Sequence, residues 1–357
     1  MNAVSHKVEQ IAESCFAGAR LGSRDAIDLY RHASLLELAR MADSMRQRKH
    51  PARIVTYIVG RNINYTNVCW VRCRFCAFYR PPGSDEGYVL PKEEIFRKIQ
   101  ETVDAGGIEI LIQGGLNPKL RIEYFEDLFR SIKSEFKIHI HGLSTTEILY
   151  IAHLARLSVK ETIARLRAAG LDTLPGAGGE VLADEVRREI SPHKDTTDEW
   201  LGVMRDAHSL GMRTTATMMY GSVDRIEHRI EHLLRVRELQ DETQGFTAFI
   251  PWNYQPAGTE LGGIKTTGYE YLKMLALSRI MLDNIDNIQV SWVTQGAQIA
   301  QIALGYGAND FGSTMFEENV VRAAGTSFCM DEGELRRQIR NAGYQPQRRN
   351  TYYQLVD

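Results

Sequence analysis

The stretch NYTNVCWVRCRFCAFYR, residues 64–80, contains three of the five cysteines in the chain. Cys69, Cys73 and Cys76 are separated by three residues and then by two, and an apolar run typical of a β-strand precedes them. A structural zinc ion needs four ligands, so it would have to recruit His139 or His141 from the run KIHIH. A cubane iron–sulfur cluster makes better use of three thiolates, because they leave one iron open to bind another molecule.

Length and composition exclude several classes of protein. The 357 residues suit one large α/β domain with extensions, or two ordinary domains. A net charge of -2 gives no bulk attraction to nucleic acid or to an anionic membrane. The N-terminus lacks the apolar core of a secretory signal, and no apolar run reaches the ~20 residues that span a bilayer. We therefore expect a cytoplasmic protein that binds neither nucleic acid nor membrane. In that reducing compartment, clustered cysteines indicate a metal or redox role. The isolated Cys15 and Cys329 are expected to be small buried residues.

Residues 53–312 alternate between short apolar runs typical of strands and amphipathic helices. The predicted strands are 62–66, 108–113, 137–141, 172–176, 213–219, 246–251, 287–292 and, more weakly, 307–312. Ser158 with Glu161, and Thr196 at the start of another helix, are typical N-caps. The pattern predicts an α/β fold, a (β/α) TIM-type barrel complete with eight strands. A doubly wound open sheet is the alternative, because periodicity does not distinguish closed from open sheets.

The segments that flank this barrel core of residues 53–312 differ from it. Residues 1–52 show helical spacing of apolar residues and predict an N-terminal helical segment. Residues 313–357 are interpreted as a C-terminal helical extension.

The barrel interpretation places several motifs at one rim. In such barrels the chemistry lies at the C-terminal ends of the strands. Cys69 follows the first predicted strand, Gln113-Gly114-Gly115 ends the second, and the loop ending in Glu180 follows the fourth. Two consecutive glycines allow the backbone to approach a ligand closely. We therefore expect these residues to meet around one site.

The cysteine spacing, with the aromatic Phe75 before the last cysteine, resembles the radical S-adenosylmethionine (SAM) superfamily. The resemblance implies a [4Fe-4S] cluster whose open iron binds SAM, and whose ligands are Cys69, Cys73 and Cys76. It also implies that Phe75 packs near the adenosyl group and that the turn Gln113-Gly114-Gly115 receives the methionyl amine. By the same resemblance, Glu180 contacts the ribose or the amino-acid part of SAM.

Longer motifs resemble the family of cyclic dehypoxanthine futalosine synthases, which act in the futalosine route to menaquinone. They include LIQGGLNPKL, GLDTLPGAGGEVL, LDNIDNIQVSWVTQG and GANDFGSTM. The family pattern G-G-G-A-E is here GAGGE at residues 176–180, which keeps Glu180. The resemblance implies that a 5′-deoxyadenosyl radical abstracts a ribosyl hydrogen from dehypoxanthine futalosine. The sugar radical then attacks the benzoate ring, and a proton and an electron leave.

The implied partners are dehypoxanthine futalosine as substrate and a reducing electron donor such as flavodoxin or ferredoxin. A homo-oligomer is compatible with the sequence. The alternatives are aminofutalosine synthase or another radical SAM enzyme of the same group. A more remote alternative is a non-catalytic iron–sulfur or zinc-binding protein.

The sequence assigns no catalytic proton acceptor. The candidates by rim position are His139, His141, Asp283, Asp286, Asn309 and Asp310, of which Asn309 could only orient another group. Each is more commonly a structural residue. Met218, Met219 and Trp252 lie near predicted strand ends and could line the pocket, but we expect them in the core.

Overall fold

A computed structural model of the protein describes residues 3–326 and 328–356. The chain begins with helices α1 (Ala3–Phe16), α2 (Ser23–His32) and α3 (Leu35–Lys49). Ser34 and Glu37 form a reciprocal capping box that fixes the start of α3. The N-terminal segment is therefore helical as predicted, except for residues 1 and 2, which lie outside the described part. Helices α2 and α3 pack on the later helix α11 (Gly268–Met281).

Nine strands follow in the described part of the chain, and the pairings between them there are parallel. They are β1 (Ile54–Ile58), β2 (Gly60–Asn64), β3 (Glu109–Gln113), β4 (His139–Gly142), β5 (Thr214–Tyr220), β6 (Phe246–Asn253), β7 (Asn287–Ile288), β8 (Asp310–Ser313) and β9 (Gln345–Arg348). Three short sheets have the orders β8-β1-β9, β2-β3-β4 and β5-β6-β7. This is the parallel α/β arrangement that the sequence predicts, with helices between successive strands.

Several of the intervening helices begin at a residue whose side chain caps the first turn. The intervening helices are α4 (Lys92–Asp104), α5 (Ile122–Glu135), α6 (Thr145–Ala155), α7 (Val159–Ala169), α8 (Asp184–Ile190), α9 (Thr197–Ser209), α10 (Ile226–Thr243), α11 and the short α12 (Trp292–Gln295) and α13 (Ala297–Ala303). The predicted caps Ser158 and Thr196 are confirmed as capping boxes. No helix among the described residues is both long and apolar enough to cross a membrane.

Isolated parallel bridges link one short sheet to the next. Thr173 pairs with His141, Leu174 with Thr214, and Gln289 with Asp310. The predicted fourth strand, 172–176, is reduced to these bridges because Pro175 has no backbone N–H to donate. The predicted seventh strand is shortened because Trp292 already begins α12. The first strand extends further back than predicted, to Ile54, with an interruption at Val59.

The C-terminal region differs from the predicted helical extension. It contains α14 (Val320–Ala323) and α15 (Glu332–Asn341), and it also contains the strand β9. Strand β9 pairs with the first half of β1, from Ile54 to Tyr57. Its sequence QPQR has no apolar alternation, so no strand pattern was visible. A proline is tolerated there because β9 is an edge strand.

Candidate active site

A cavity of about 340 Å³ lies among the strands. It reaches Phe75 and Glu180 after the strands, and at the other side it reaches Arg349, Thr351 and Tyr353 from the C-terminal region. Much of its wall is apolar, with Trp252 and Trp292 as its largest members, and the rest comes from hydroxyl, amide, imidazole and charged side chains. A mostly apolar pocket with a few convergent polar groups is the usual form of a small-molecule site. Of the predicted cofactor residues, Phe75, Gln113 and Glu180 line this cavity.

The three predicted metal ligands lie on a loop that returns to its own start. The backbone N–H of Cys69 donates to the Arg80 carbonyl at 2.9 Å, and the Arg80 N–H donates to Asn67 at 2.8 Å. Within the loop, Arg72 adopts a left-handed conformation with φ of 56°, and the Cys76 N–H donates to the Cys73 carbonyl at 3.0 Å. The turn brings the three thiols onto one short, closed loop.

The surroundings of the thiols favour a multinuclear site. Burial raises the pKa of Cys73 to about 12 and also raises the pKa of Cys76, so metal-free thiols stay protonated. Bound metal reverses this, because a coordinating thiol loses its proton outright. The Ser191 hydroxyl lies 2.9 Å from the Cys73 sulfur, and the backbone N–H groups of Phe78 and Tyr79 donate to Cys76. Such donors to sulfur tune iron–sulfur clusters.

A single-ion site is a poorer fit. Within residues 3–326 and 328–356, no group of three or more His, Cys, Asp or Glu is arranged to hold one metal ion. A cubane cluster spreads its ligands over separate iron atoms, so its thiolates lie further apart than those around one zinc ion. His139 and His141, the proposed fourth zinc ligands, both bond the Thr173 hydroxyl instead, at 2.8 and 2.7 Å. The donor set therefore fits an iron–sulfur cluster better than zinc.

The two glycines after β3 are required by close packing within the protein. A Cβ on Gly115 would lie 2.4 Å from the Val68 carbonyl oxygen and 2.8 Å from the Cys69 Cβ. A Cβ on Gly114 would lie 2.7 Å from the Tyr65 ring. Any side chain here would displace the start of the cysteine loop. The Gly114 N–H already donates to the buried Glu147 at 3.0 Å, so it is not free to bind a ligand.

Glu180 has a free, buried carboxylate oxygen. Its Oε1 accepts a hydrogen bond from Lys194 at 2.6 Å, but Oε2 is buried without a hydrogen-bond partner. The nearest cation to Oε2 is Arg187, at 3.8 Å. Glu180 also holds a left-handed φ of 34°, which a non-glycine residue adopts only when its surroundings impose it. An unpaired buried oxygen at a cavity wall fits a hydrogen-bond donor on a bound ligand.

Lys194 joins this carboxylate to the cysteine loop. Its ammonium lies 5.5 Å from the centre of the Phe75 ring, within the range of a cation–π contact. Burial opposes the charged form of Lys194, but the neighbouring negative charge, chiefly that of Glu180, raises its pKa. Phe75, Glu180 and the cysteine loop thus form one connected wall.

Two of the proton-acceptor candidates lie at the protein surface. Asp283 pairs with Arg20 at 2.8 Å on the outside of the protein. Asp286 pairs with Lys49 at 2.8 Å, and 74% of its side chain is exposed. Neither lines the cavity, which agrees with the expectation that each candidate is more commonly a structural residue. Both residues lie in the loop before β7, which is the opposite end of the strand from the predicted rim.

Two other candidates are committed to structural bonds. The Asn309 amide oxygen accepts from Arg279 at 2.6 Å and from a backbone N–H, so its role is to hold buried chain segments. Asp310 forms a buried ion pair with Arg349 at 2.6 Å. Its carboxylate also accepts from the Thr56 hydroxyl at 2.6 Å. Both carboxylate oxygens of Asp310 are committed to structural hydrogen bonds, so Asp310 does not fit the candidate role of proton acceptor.

The remaining pocket candidates divide between the core and the cavity. His141 lines the cavity, but burial lowers its pKa to about 3, which makes it a weak base at neutral pH. Met218 and Met219 are core residues as expected. Trp252 lines the cavity, so its assignment to the core is wrong in part. Cys15 is buried as predicted, whereas Cys329 is exposed.

Sequence reasoning missed a polar pair in the cavity. Glu318, in the segment after β8, accepts a hydrogen bond from the Asn62 amide at 2.7 Å. Burial raises the pKa of Glu318, which makes it a stronger proton acceptor than an exposed carboxylate. The Asn62 amide oxygen is buried without a partner. The only sequence signal was the alternation in NIN, which turns Asn62 and Asn64 to one side of β2.

Comparison with known families gives two matches that together span most of the chain. Residues 63–236 match the radical SAM superfamily, and residues 243–357 match the family described as the CofH/MqnC C-terminal region. The first match contains the cysteine loop and strands β3 to β5. The second contains β6 to β9 and Glu318.

Whole-chain relatives carry two kinds of name. The cyclic dehypoxanthine futalosine synthase of Halalkalibacterium halodurans is 46% identical over 98% of this chain and 95% of its own length. The protein of that name in Streptomyces coelicolor is 44% identical over 98% of this chain and 89% of its own. The 5-amino-6-(D-ribitylamino)uracil–L-tyrosine 4-hydroxyphenyl transferase of Methanocaldococcus jannaschii is 39% identical, over 96% of this chain and 99% of its own.

Solved structures support the fold. The FeFe-hydrogenase maturase of Carboxydothermus hydrogenoformans superposes with a TM-score of 0.76 at 17% identity, over 98% of this chain and 81% of its own. Methylornithine synthase superposes with a TM-score of 0.75 at 19% identity, over 94% of this chain and 97% of its own. The fold class is therefore a radical SAM TIM-type α/β fold. From the cysteine loop, the matches and the relatives together, the chain belongs to the radical SAM superfamily, in the group that carries the CofH/MqnC C-terminal region.

Proposed function

We propose that this protein is a radical SAM enzyme that cyclises dehypoxanthine futalosine in menaquinone biosynthesis. The observation that carries the proposal is identity of 46% and 44%, over 98% of the chain, to two cyclic dehypoxanthine futalosine synthases. The matched 98% of the chain includes both the segments of the cavity wall and the cysteine loop. The reaction closes a ring between the ribose and the benzoate of one substrate, with net loss of two hydrogen atoms.

The residues proposed to hold the cofactors lie on one wall of the site. Cys69, Cys73 and Cys76 would hold a [4Fe-4S] cluster, and Ser191 would donate to one cluster thiolate. SAM would lie beside Phe75, the turn Gln113-Gly114-Gly115 and the free carboxylate oxygen of Glu180. When bound, this pair supplies a reducing electron and a carbon-centred radical that can abstract a hydrogen atom. The protein's own task is to position the substrate and to exclude water.

The cavity supports both tasks. Its apolar surfaces, including Trp252 and Trp292, suit an aromatic ring, and its hydroxyl groups suit a ribose. Holding the reacting carbon close to the abstracting atom converts an unselective radical into a selective one. Glu318 is the buried carboxylate of raised pKa that could accept the proton lost after ring closure. An apolar wall also keeps bulk water from quenching the reaction.

We also infer that the barrel is complete with eight strands. The support is the order in which the strands pair. Strand β4 pairs with the segment Thr173–Leu174, and that segment pairs in turn with β5. Gln289 pairs with Asp310 of β8, and β8 pairs with β1. The junction at Val59 lets β1 pair with β8 and its continuation β2 pair with β3. A closed ring would shield the cavity on every side except its two ends. In this arrangement, the barrel core would span residues 53–312, between the flanking segments 1–52 and 313–357.

The test is product analysis under anaerobic conditions. Reconstituted protein would be incubated with dithionite, SAM and dehypoxanthine futalosine, and the products would be analysed by mass spectrometry. We expect 5′-deoxyadenosine together with a nucleoside product two hydrogen atoms lighter than the substrate. If 5′-deoxyadenosine forms but dehypoxanthine futalosine is unchanged, the result supports the superfamily assignment and refutes the proposed substrate.

A second candidate follows from the other named relatives. Identity of 39% to the M. jannaschii hydroxyphenyl transferase also spans nearly the whole chain. The matched assay offers 5-amino-6-(D-ribitylamino)uracil with tyrosine in place of the futalosine. An enolpyruvyl benzoate substrate tests the aminofutalosine synthase alternative in the same way. Turnover of either in preference to dehypoxanthine futalosine would replace the proposed function.

A further inference from the structure

Two histidines and a threonine form a continuous series of hydrogen bonds at β4. His139 and His141 alternate along this strand, so their side chains lie on the same side of it. Thr173 lies on the neighbouring segment, where its backbone pairs with His141. Its hydroxyl oxygen lies 2.7 Å from His141 Nδ1 and 2.8 Å from His139 Nε2. A hydroxyl can donate one hydrogen bond while it accepts another, so this one links the two rings. We call the three residues the His–Thr–His triad.

The two ends of the triad reach different spaces. His141 lines the internal cavity, whereas His139 lines a pocket at the surface that is formed by residues 133–139. Thr173, between them, is buried and 2% exposed. Among the described residues, Thr173 is the one hydrogen-bond partner of the His141 ring, which leaves His141 Nε2 for the cavity. His139 Nδ1 lies 3.9 Å from the Asp172 carboxylate. The triad therefore connects the cavity with the surface at the start of β4, the end of the strands away from the cysteine loop.

Both rings of the triad are neutral near pH 7. Burial lowers the pKa of His139, and it lowers the pKa of His141 to about 3. A neutral imidazole has one donor and one acceptor nitrogen, so it can take up a proton on one side and release another from the other side. The charged groups that face the two rings are Glu109, Asp172, Lys133 and Arg349. Each of these is bonded to another side chain, so the Thr173 hydroxyl remains the direct partner of both rings.

The proposed reaction releases one proton in the cavity at each turnover. The proposed acceptor, Glu318, can hold only one proton, which must leave before the next turnover. Glu318 bonds to Asn62. The strand register places Asn62, Leu111 and His141 side by side on β2, β3 and β4. Asn62 and His141 are thus two strand spacings apart, about 10 Å, a gap that the sugar hydroxyl groups of a bound substrate would span.

We propose that the His–Thr–His triad is a proton relay that carries the proton released by ring closure from the cavity to the surface. The inference rests on the proposed function, because that reaction supplies the proton. His141 Nε2 would accept a proton while its Nδ1–H gives one to the Thr173 oxygen. The Thr173 hydroxyl proton would pass to His139 Nε2, and His139 Nδ1–H would release one to water in the surface pocket.

The transfer balances at each residue of the triad. One bond to hydrogen forms and one breaks at each nitrogen or oxygen pair, and the electron lost in the same reaction does not pass through these side chains. When product leaves, water that enters the cavity would take the proton from His141 Nε2. The two rings and the hydroxyl would then return to their starting arrangement.

The test separates ring closure from the hydrogen abstraction that precedes it. Thr173→Val keeps the shape of the side chain and removes the hydroxyl, whereas Thr173→Ser keeps a hydroxyl. His139→Gln interrupts the outlet at a residue that does not line the cavity. The matched control is Thr102→Val, at a fully buried threonine whose hydroxyl bonds the Lys98 carbonyl within α4. Each iron-loaded protein is mixed anaerobically with dithionite, SAM and dehypoxanthine futalosine, and 5′-deoxyadenosine and the cyclised product are followed separately.

We expect Thr173→Val and His139→Gln each to form the cyclised product about 10-fold more slowly than the wild type, because both interrupt proton transfer. They should form 5′-deoxyadenosine at the wild-type rate, since hydrogen abstraction precedes proton loss. Thr173→Ser and Thr102→Val should match the wild type in both products. In mixtures of H₂O and D₂O, the wild-type rate of product formation should fall along a curve as the deuterium fraction rises, because several protons move together. Thr173→Val should give a straight line.

Two results would overturn the relay. One is a parallel fall of both products in Thr173→Val, which would indicate a structural role. The other is an equal product rate and an equal solvent isotope effect in Thr173→Val and Thr102→Val. A wild-type protein that forms 5′-deoxyadenosine without the cyclised product would instead refute the proposed function, and the relay of that proton with it.

Discussion

The buried ion pair between Arg349 and Asp310 offers the sharpest stability test. We predict that Arg349→Met destabilises the protein severely. The Asp310 side chain is fully buried and 5% of the Arg349 side chain is exposed. Two of the hydrogen bonds to Asp310 come from Arg349, at 2.6 and 2.9 Å, and they carry its only counter-charge among the described residues. Removal of one partner from a buried pair costs about 3–5 kcal/mol, because it leaves the other charge unpaired.

The remaining partners refine this magnitude. Thr56 and the Gly312 N–H would still donate to Asp310, at 2.6 and 2.9 Å. We therefore expect a loss of about 3–4 kcal/mol in the free energy of unfolding, measured by urea denaturation with an unchanged m-value. The control is Arg337→Met, whose side chain is 66% exposed and pairs with Glu334 on the surface. That control should change stability by less than about 0.5 kcal/mol.

The pH dependence of the variant separates lost charge pairing from lost packing. Without Arg349, burial should raise the pKa of Asp310 in the folded state above its unfolded value. A carboxyl group whose pKa is higher in the folded state destabilises that state as pH rises. The difference in free energy of unfolding between the wild type and Arg349→Met should therefore shrink as pH falls from 7 towards 5. The double variant Arg349→Met/Asp310→Asn should recover at least about 1 kcal/mol of the loss. A deficit below about 1 kcal/mol, or one that does not change with pH, would refute the reasoning.

Three further predictions concern the cysteine loop and a buried histidine. Cys73→Ala should lose bound iron and formation of 5′-deoxyadenosine, whereas Cys329→Ala should keep both; wild-type turnover by the first variant would contradict the ligand assignment. Gly115→Ala should lower the iron content, because its Cβ would meet backbone at 2.4 Å, whereas Gly202→Ala has no neighbour within 4 Å and should add about 0.5–1 kcal/mol of stability. His208→Gln should flatten the pH dependence of unfolding. Burial lowers the pKa of His208 to about 4 in the folded protein. As pH falls below the unfolded pKa of about 6.5, this group therefore lowers the free energy of unfolding of the wild-type protein by about 1.4 kcal/mol per pH unit. An unchanged slope between pH 6 and 5 in urea titrations would exclude that contribution.

The cysteine loop and most strands could be predicted because their signals are local. Runs such as EILIQ at β3 and TTATMMY at β5 are rich in aliphatic or β-branched residues and are largely buried, which is typical of parallel strands covered on both faces. The cysteine spacing is also local, and it fixed the metal hypothesis without any knowledge of tertiary structure. The helix caps at Ser158 and Thr196 depend on contacts three residues away, so they too were visible.

The features that the sequence did not predict depend on contacts between residues that are far apart along the chain. The role of Asp310 is set by Arg349, 39 positions later, so its rim position alone suggested a base. Asp283 and Asp286 were counted among the rim residues, although both precede β7, which begins at Asn287 as predicted. Residue 115 must be glycine because the cysteine loop packs closely against it. From the sequence, the two consecutive glycines were instead interpreted as space for a bound ligand. Glu318 reaches Asn62 across the cavity, and no pattern along the chain links them.

The pairing of β1 with β9 has a consequence for how the protein is made. The strand at Ile54–Ile58 leaves the ribosome almost 290 residues before the partner at Gln345–Arg348 that covers its edge. Until then, β1 presents unpaired backbone groups to any other chain nearby, and Asp310 has no cation. Contacts so distant in sequence form slowly. Ribosomes that stall or terminate before residue 345 should therefore release chains prone to aggregation, which gives chaperones a defined strand edge to protect during synthesis.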